Sequence, residues 1–190
     1  MHTRTLMTCA LVALLPVVSG CAAVALGGAA ATGVVMTEDR RTFGTITEDQ
    51  GIELKAATRI AERIKDAHVN VTSYNRMVLL SGEVPNEAAK AEAERVARAV
   101  ENVRSVFNEL QVGANSGLQA RTTDAVTTSK VKARFVDARS FSPLHVKVVT
   151  EAGTVFLMGL VRRQEATDAS EVARTTGGVR KVVRLFEYLD

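Results

Sequence analysis

The sequence predicts an α+β protein made of two tandem αββαβ units, each a small three-stranded mixed sheet packed by two helices. Three observations carry this expectation. A strand-like stretch closing on glycine and valine occurs twice, as RMVLLSGEV at 76–84 and GTVFLMGLV at 153–161. Residues 68–84 overlay 145–161 at a shift of 77, setting His68, Gly82 and Val84 on His145, Gly159 and Val161. Residues 96–110 overlay 172–186 at a shift of 76, matching VAR with VAR and VRSV with VRKV. A chain of 190 residues has room for two such domains with thin cores.

Residues 1–20, MHTRTLMTCALVALLPVVSG, place Arg4 ahead of an apolar run from Leu6 to Val18. The run has signal-peptide length and is shorter than the ~20 residues of a spanning helix. Ser19 and Gly20 then precede Cys21, which resembles the lipobox of bacterial lipoproteins. That resemblance implies cleavage before Cys21, a diacylglycerol thioether on its sulfur, and acylation (palmitate or a similar chain) of the new amine. Ala22 in the next position points to the outer membrane, since aspartate there is the inner-membrane signal of enterobacterial lipoproteins. Two alternatives stay open. Residues 22–36 are also apolar, so leader and tail together make a candidate uncleaved anchor, although Pro16 and the glycines oppose one long helix. A plain secreted protein with an incidental cysteine is the other.

Residues 21–47 read as a lipid-anchored tether with little fixed structure. The first domain, 48–112, is expected to run helix (about 52–66), strand (69–74), strand (77–84), helix (86–100) and strand (105–112), with Asn75 in the hairpin turn. Its second helix is alanine-rich, which favours helix. Residues 113–122, GANSGLQART, read as a linker. The second domain, 123–190, repeats the order with a helix at about 124–138, strands at 146–150 and 154–161, a helix at 164–176 and a strand at 181–189. Gly153 stands in its turn.

The αββαβ order, the strand closing on glycine and the VRSV strand entry resemble the BON domain of bacterial envelope proteins. A lipobox, then DRRTFGT at 39–45, then two such units with VFLMGLV in the second, is similar to the dual-BON outer-membrane lipoproteins of Gram-negative bacteria. The resemblance covers nearly the whole chain. It implies a non-enzymatic protein, lipid-anchored on the periplasmic face of the outer membrane. It further implies binding of anionic phospholipid (phosphatidylglycerol, cardiolipin), support of membrane integrity and a link to cell division. Asn108, a common BON asparagine, has Arg184 as its counterpart in the second copy. A difference in a local turn is expected there.

Alternation puts Val69, Val71, Val78, Leu80 and Val84 on one sheet face, matched by Val146, Val148, Val155, Leu157 and Val161. This face should carry the helices. Gly82 and Gly159 fall on it and read as structural glycines that let helix and strand approach closely. The opposite face differs between copies. In the first it carries Leu79, Ser81 and Glu83, with Phe107 and Glu109 nearby, and is expected to meet water. In the second it carries Phe156, Met158 and Leu160, with Val183 and Leu185, and an apolar patch of that kind needs a partner. The first domain, an envelope protein and lipid are the three candidates.

Charge separates the copies too: residues 48–112 have a net charge of −2 and residues 119–190 a net charge of +4. The second domain is thus the better partner for an anionic surface. On its first helix Val131, Phe135 and Ala138 make the core stripe. Val126 and Val136 lie off that stripe with Ser129 and Ala133 between them, Lys130 and Arg134 on one flank and Lys132 on the other. Beyond the helix, RSFSPL is expected to present Arg139, Phe141 and Leu144. Apolar side chains ringed by cations suit an anionic bilayer. The same residues also fit an ordinary solvated helix with two stray valines. The family resemblance implies that this helix is the phospholipid-binding element, with Val126, Ser129, Lys130, Ala133, Arg134 and Val136 as its residues. Val126 stands where the resembled lipoproteins have a larger aromatic, which implies shallower insertion and more reliance on charge.

The competing function is a periplasmic adaptor that binds envelope proteins through Phe156, Met158 and Leu160. No Ser/His/Asp set, paired catalytic carboxylates or nucleotide motif is visible, so no enzyme and no cofactor are expected. Both cysteines, Cys9 and Cys21, lie ahead of the domains, which excludes a disulfide framework in them. No carboxylate or second histidine is expected to cluster beside His68 or His145, and no metal site is expected. A net charge of +3, an export signal and 4% aromatics disfavour nucleic acid.

Overall fold

Hairpins set the frame of both repeats in the computed structural model, which describes residues 39–190. The leader, Cys21 and the tether up to Glu38 lie outside the described residues. In the first repeat β1 (His68–Tyr74) pairs antiparallel with β2 (Met77–Val84), bringing Val71 opposite Leu80. In the second, β5 (Val146–Glu151) pairs antiparallel with β6 (Thr154–Val161), bringing Val148 opposite Leu157. Both two-residue turns, Asn75–Arg76 and Ala152–Gly153, have positive φ throughout. This is the turn geometry whose twist matches a hairpin.

The helix after each hairpin carries the chain back so that the last strand lies parallel to the hairpin's second strand. α2 (Glu87–Arg98) leads to β3 (Ser105–Asn108) and β4 (Gln111–Val112), which both pair with β2. α4 (Arg163–Arg174) leads to β7 (Lys181–Tyr188), which pairs with β6. Where a single strand is expected at 105–112, the pairing breaks at Glu109–Leu110. Asn108 accounts for the break: its Oδ1 accepts from the Leu110 amide at 3.4 Å, and its Nδ2 donates to the Lys90 carbonyl at 3.0 Å and to Glu94 at 3.1 Å. Arg184 has no such short acceptor, and β7 runs unbroken.

The first helix of each repeat is longer than the sequence suggests. α1 spans Phe43–Arg63 and begins inside the segment read as tether, with the Thr42 hydroxyl accepting from the Thr45 amide. α3 spans Leu118–Ala138 and begins inside the segment read as linker. Gly44 and Gly51 lower helix propensity in the early turns of α1, but tertiary contacts override it. Asp49, Ile52, Ala56 and Ile60 form the buried stripe of α1, and Asp124, Thr127, Val131 and Phe135 that of α3. Each stripe closes one core. The first gathers Ile52, Ile60, Val78, Leu80, Val96 and Leu110. The second gathers Val131, Phe135, Val148, Leu157, Val161 and Ala169.

Gly82 and Gly159 have a different cause from the expected helix approach. A Cβ on Gly82 would strike the carbonyl of His68 on the neighbouring strand, and Gly82 also holds a φ of +110°. A Cβ on Gly159 would strike the carbonyl of His145. The crowding is against neighbouring backbone: the first residue of β1 for Gly82, and the residue just before β5 for Gly159.

Candidate functional site

The outer sheet faces are spent on each other. Phe156 and Met158 are buried, at 3% and 0% exposure, in one cluster with Tyr74, Met77, Leu79 and Leu185. The first-domain face expected to meet water is therefore covered: Leu79 and Ser81 are buried and Glu83 is 8% exposed. Ser81 and Glu83 made that face look water-compatible, yet Glu83 is held by the His68 ring at 3.1 Å and the Ser116 amide at 3.2 Å.

The contact follows the internal repeat. At a shift of 77, Asn70 falls on Lys147 and Tyr74 on Glu151. Asn70 donates to Glu151 at 2.8 Å, while Lys147 donates to the carbonyl of Ser73, beside Tyr74, at 3.2 Å. Equivalent places thus meet in reciprocal order, as across a two-fold axis. Around the rim Lys147 pairs with Glu53 at 2.7 Å and Arg104 with Glu187 at 3.1 Å.

The arginines of DRRTFGT complete the joint. The Arg40 fork grips Glu165 at 2.6 and 2.8 Å and donates to the Leu160 carbonyl at 2.8 Å. Its hydrogen bonds hold the Glu165 carboxyl down at about 2. Arg41 binds Asp39 and Asp49 and lies 3.9 Å over the Tyr74 ring. Asp49 in turn accepts from the turn amides of Asn75 and Arg76, both at 2.8 Å. Asp124 does the same for Ala152 and Gly153, both at 2.9 Å. The sequence reading missed these two aspartates. Their shared place in the two copies, 75 residues apart, was the available signal.

At one end of the joint Glu151 meets His68, Asn70 and Glu83. Burial pushes the Glu151 carboxyl above its ordinary range; hydrogen bonding from Asn70 and the charge of His68 oppose this, and Glu83 and Asp124 reinforce it. The fold brings Glu83 and Glu151 to His68, which corrects the expectation that no carboxylate clusters with it.

The sheet faces being covered, α3 still exposes apolar side chains: Leu118 at its first residue, and Val126 and Val136 farther along. Val126 is 47% and Val136 63% exposed. Ala125, Val126, Ser129, Lys130 and Ala133 line a shallow depression of about 450 Å³. The Ser129 hydroxyl is turned back onto the Ala125 carbonyl at 3.0 Å. Val136 lines a second hollow of about 400 Å³ with Lys132, Leu144 and Tyr74. Lys130 and Lys132 are exposed, and no acidic side chain pairs with either among the described residues.

Two expected members behave differently. Arg134 is exposed, but its Nη1 donates to the Val172 carbonyl and to the Thr175 and Thr176 hydroxyls at 2.9–3.1 Å, capping the end of α4. Phe141, expected to point outward, is buried edge-on against Phe135 with ring centroids 5.0 Å apart. Arg139 and Leu144 remain exposed. No helix among the described residues is long and apolar enough to cross a membrane.

Comparison with known proteins finds the BON domain family model matching residues 48–114 and again 123–190. The chain is 40% identical over 175 residues to the outer membrane lipoprotein DolP of Haemophilus influenzae, covering 90% of each chain. It is 33% identical to a 21 kDa hemolysin of Actinobacillus pleuropneumoniae, covering 80% of this chain and 79% of the relative. It is also 34% identical to osmotically-inducible protein Y of Escherichia coli, covering 73% and 72%.

Proposed function

The chain belongs to the BON domain family, and from that premise we propose that it is a non-enzymatic outer-membrane lipoprotein that binds anionic phospholipid through the outer face of α3. Similarity to an outer membrane lipoprotein over 90% of both chains supports the location. Cys21 is the acylated residue in this reading, and the domains work at the periplasmic face in support of membrane integrity.

One observation carries the lipid reading. Val126 and Val136 are 47% and 63% exposed on a helix whose neighbouring Lys130 and Lys132 pair with no acidic side chain among the described residues, while the other large apolar face is closed. Each lysine near an anionic surface contributes about 1 kcal/mol. The valines insert shallowly and add apolar burial. Arg134, committed to α4, contributes less than the two lysines. The adaptor alternative relied on Phe156, Met158 and Leu160, and no observation favours it, because the first domain covers Phe156 and Met158.

The test is co-sedimentation of residues 39–190, which hold both cores in one compact unit, with phosphatidylglycerol and phosphatidylcholine liposomes. Binding is expected to the anionic vesicles alone, with loss in the Val126→Asp, Val136→Asp double variant. Undiminished binding by a folded double variant removes α3 from the mechanism.

A further inference from the structure

Four carboxylates are buried among the described residues: Asp49, Glu83, Asp124 and Glu151. Asp49 has Arg41 and two turn amides, and Asp124 has two turn amides. Glu83 and Glu151 have neither an arginine nor a lysine. Glu83 has the His68 Nδ1 and one amide, and Glu151 has the Asn70 side chain. Burying two such charges together without a cation is costly.

A second observation falls in the same corner. Ser81 Oγ is fully buried without a hydrogen-bond partner. Ser81 lies opposite Asn70 in the β1–β2 register and two residues from Glu83 on the same face. A buried hydroxyl with no protein partner beside such a set is a group that the water of a bound ion would satisfy.

We propose that His68, Glu83 and Glu151 form a divalent transition-metal site, best suited to Zn²⁺, that joins the first BON domain to the second. One ligand atom from each of the three lies within 4.8 Å of the others. Zinc holds nitrogen and carboxylate oxygen at about 2.0–2.2 Å, so small side-chain rotations close the set. An imidazole with two carboxylates suits borderline ions, whereas Mg²⁺ and Ca²⁺ favour all-oxygen shells. Asn70 supports the set from outside: its Nδ2 holds Glu151 and lies 3.4 Å from His68 Nε2.

The ligands come from β1, β2 and β5, so the ion would cross the domain joint. The two-fold-related corner lacks the chemistry. There Leu160 stands in the place of Glu83 and Tyr74 in that of Glu151. The site belongs to one side of a duplicated frame, which is how a binding function is expected to differ from a structural motif shared by both copies.

The experiment is calorimetric titration of the whole chain in detergent, stripped with a chelator, with Zn²⁺ and in parallel with Mg²⁺. One equivalent of Zn²⁺ should bind and Mg²⁺ should not compete. His68→Gln and Glu151→Gln should each weaken Zn²⁺ binding at least tenfold, while Glu171→Gln on the exposed side of α4 leaves it unchanged. Because either ligand variant could misfold, the unaltered chain supplies the deciding readout. The His68 ring signals in NMR should move with Zn²⁺ and those of His145 should not. Absence of saturable Zn²⁺ binding, movement of His145 in place of His68, or full affinity in folded Glu151→Gln overturns the proposal.

Discussion

Gly82 shows how much one hydrogen in place of a side chain can decide. Its φ of +110° and the nearby His68 carbonyl oppose any Cβ, whereas Gly159 faces only the second difficulty. Gly82→Ala should therefore lower stability by about 3 kcal/mol, and Gly159→Ala by less, measured as urea midpoints. The repetition of these glycines made them legible as fixed positions. Their reason was not, because it lies in the path of a neighbouring backbone. Asp124 was legible only through its repeat partner Asp49, since a lone aspartate on a helix reads as a solvated side chain. Of its two turn amides, that of Gly153 is buried and that of Ala152 half-buried, so Asp124→Ala should cost about 2 kcal/mol by leaving them unsatisfied.

Among the elements, α3 divides its two faces cleanly, and the sequence pattern showed it: Val131 and Phe135 are buried while Val126 and Val136 are exposed. Periodicity assigns a face but cannot say whether a cation on it is free. Lys130→Gln should weaken binding to phosphatidylglycerol vesicles roughly fivefold, the equivalent of about 1 kcal/mol. Arg134→Gln should chiefly lower stability, because its guanidinium holds the end of α4; thermal melts and liposome binding of the two variants separate these effects. The start of α4 carries one acid-sensitive contact. Glu165 titrates at about 2 in the folded chain, below its ordinary 4.5, owing to Arg40. Its contribution is complete above pH ~4.5 and is lost as pH falls toward 2. Arg40→Gln should flatten that part of the stability–pH profile, read by urea unfolding at successive pH values. DRRTFGT was recognisable only as a family signature. That Arg40 reaches Glu165 rests on a contact spanning 125 residues, which no local pattern encodes.

At the scale of the molecule, half of the joint was visible in advance. Phe156 and Met158 announced an apolar face in need of cover. The covering face was disguised by Ser81 and Glu83, which are polar in type but buried in place. With Tyr74, Leu79, Phe156 and Met158 in one cluster, the two domains should unfold in a single calorimetric transition. Leu79→Asp, which places a charge in that cluster, should split it into two. The reciprocal contact has a further consequence. Such a surface on a free-standing single unit would make it a homodimer, assembled only when the protein is abundant enough. Joined in one chain, the halves meet at the effective concentration of a short connector, on the order of millimolar, whatever the expression level. Fusion also ends the tyranny of symmetry. In a true homodimer any substitution is felt on both sides at once, whereas here each side can be altered alone. Glu83 can become an acid opposite Glu151 while its twin position stays leucine, and α3 can specialise its surface while α1 does not.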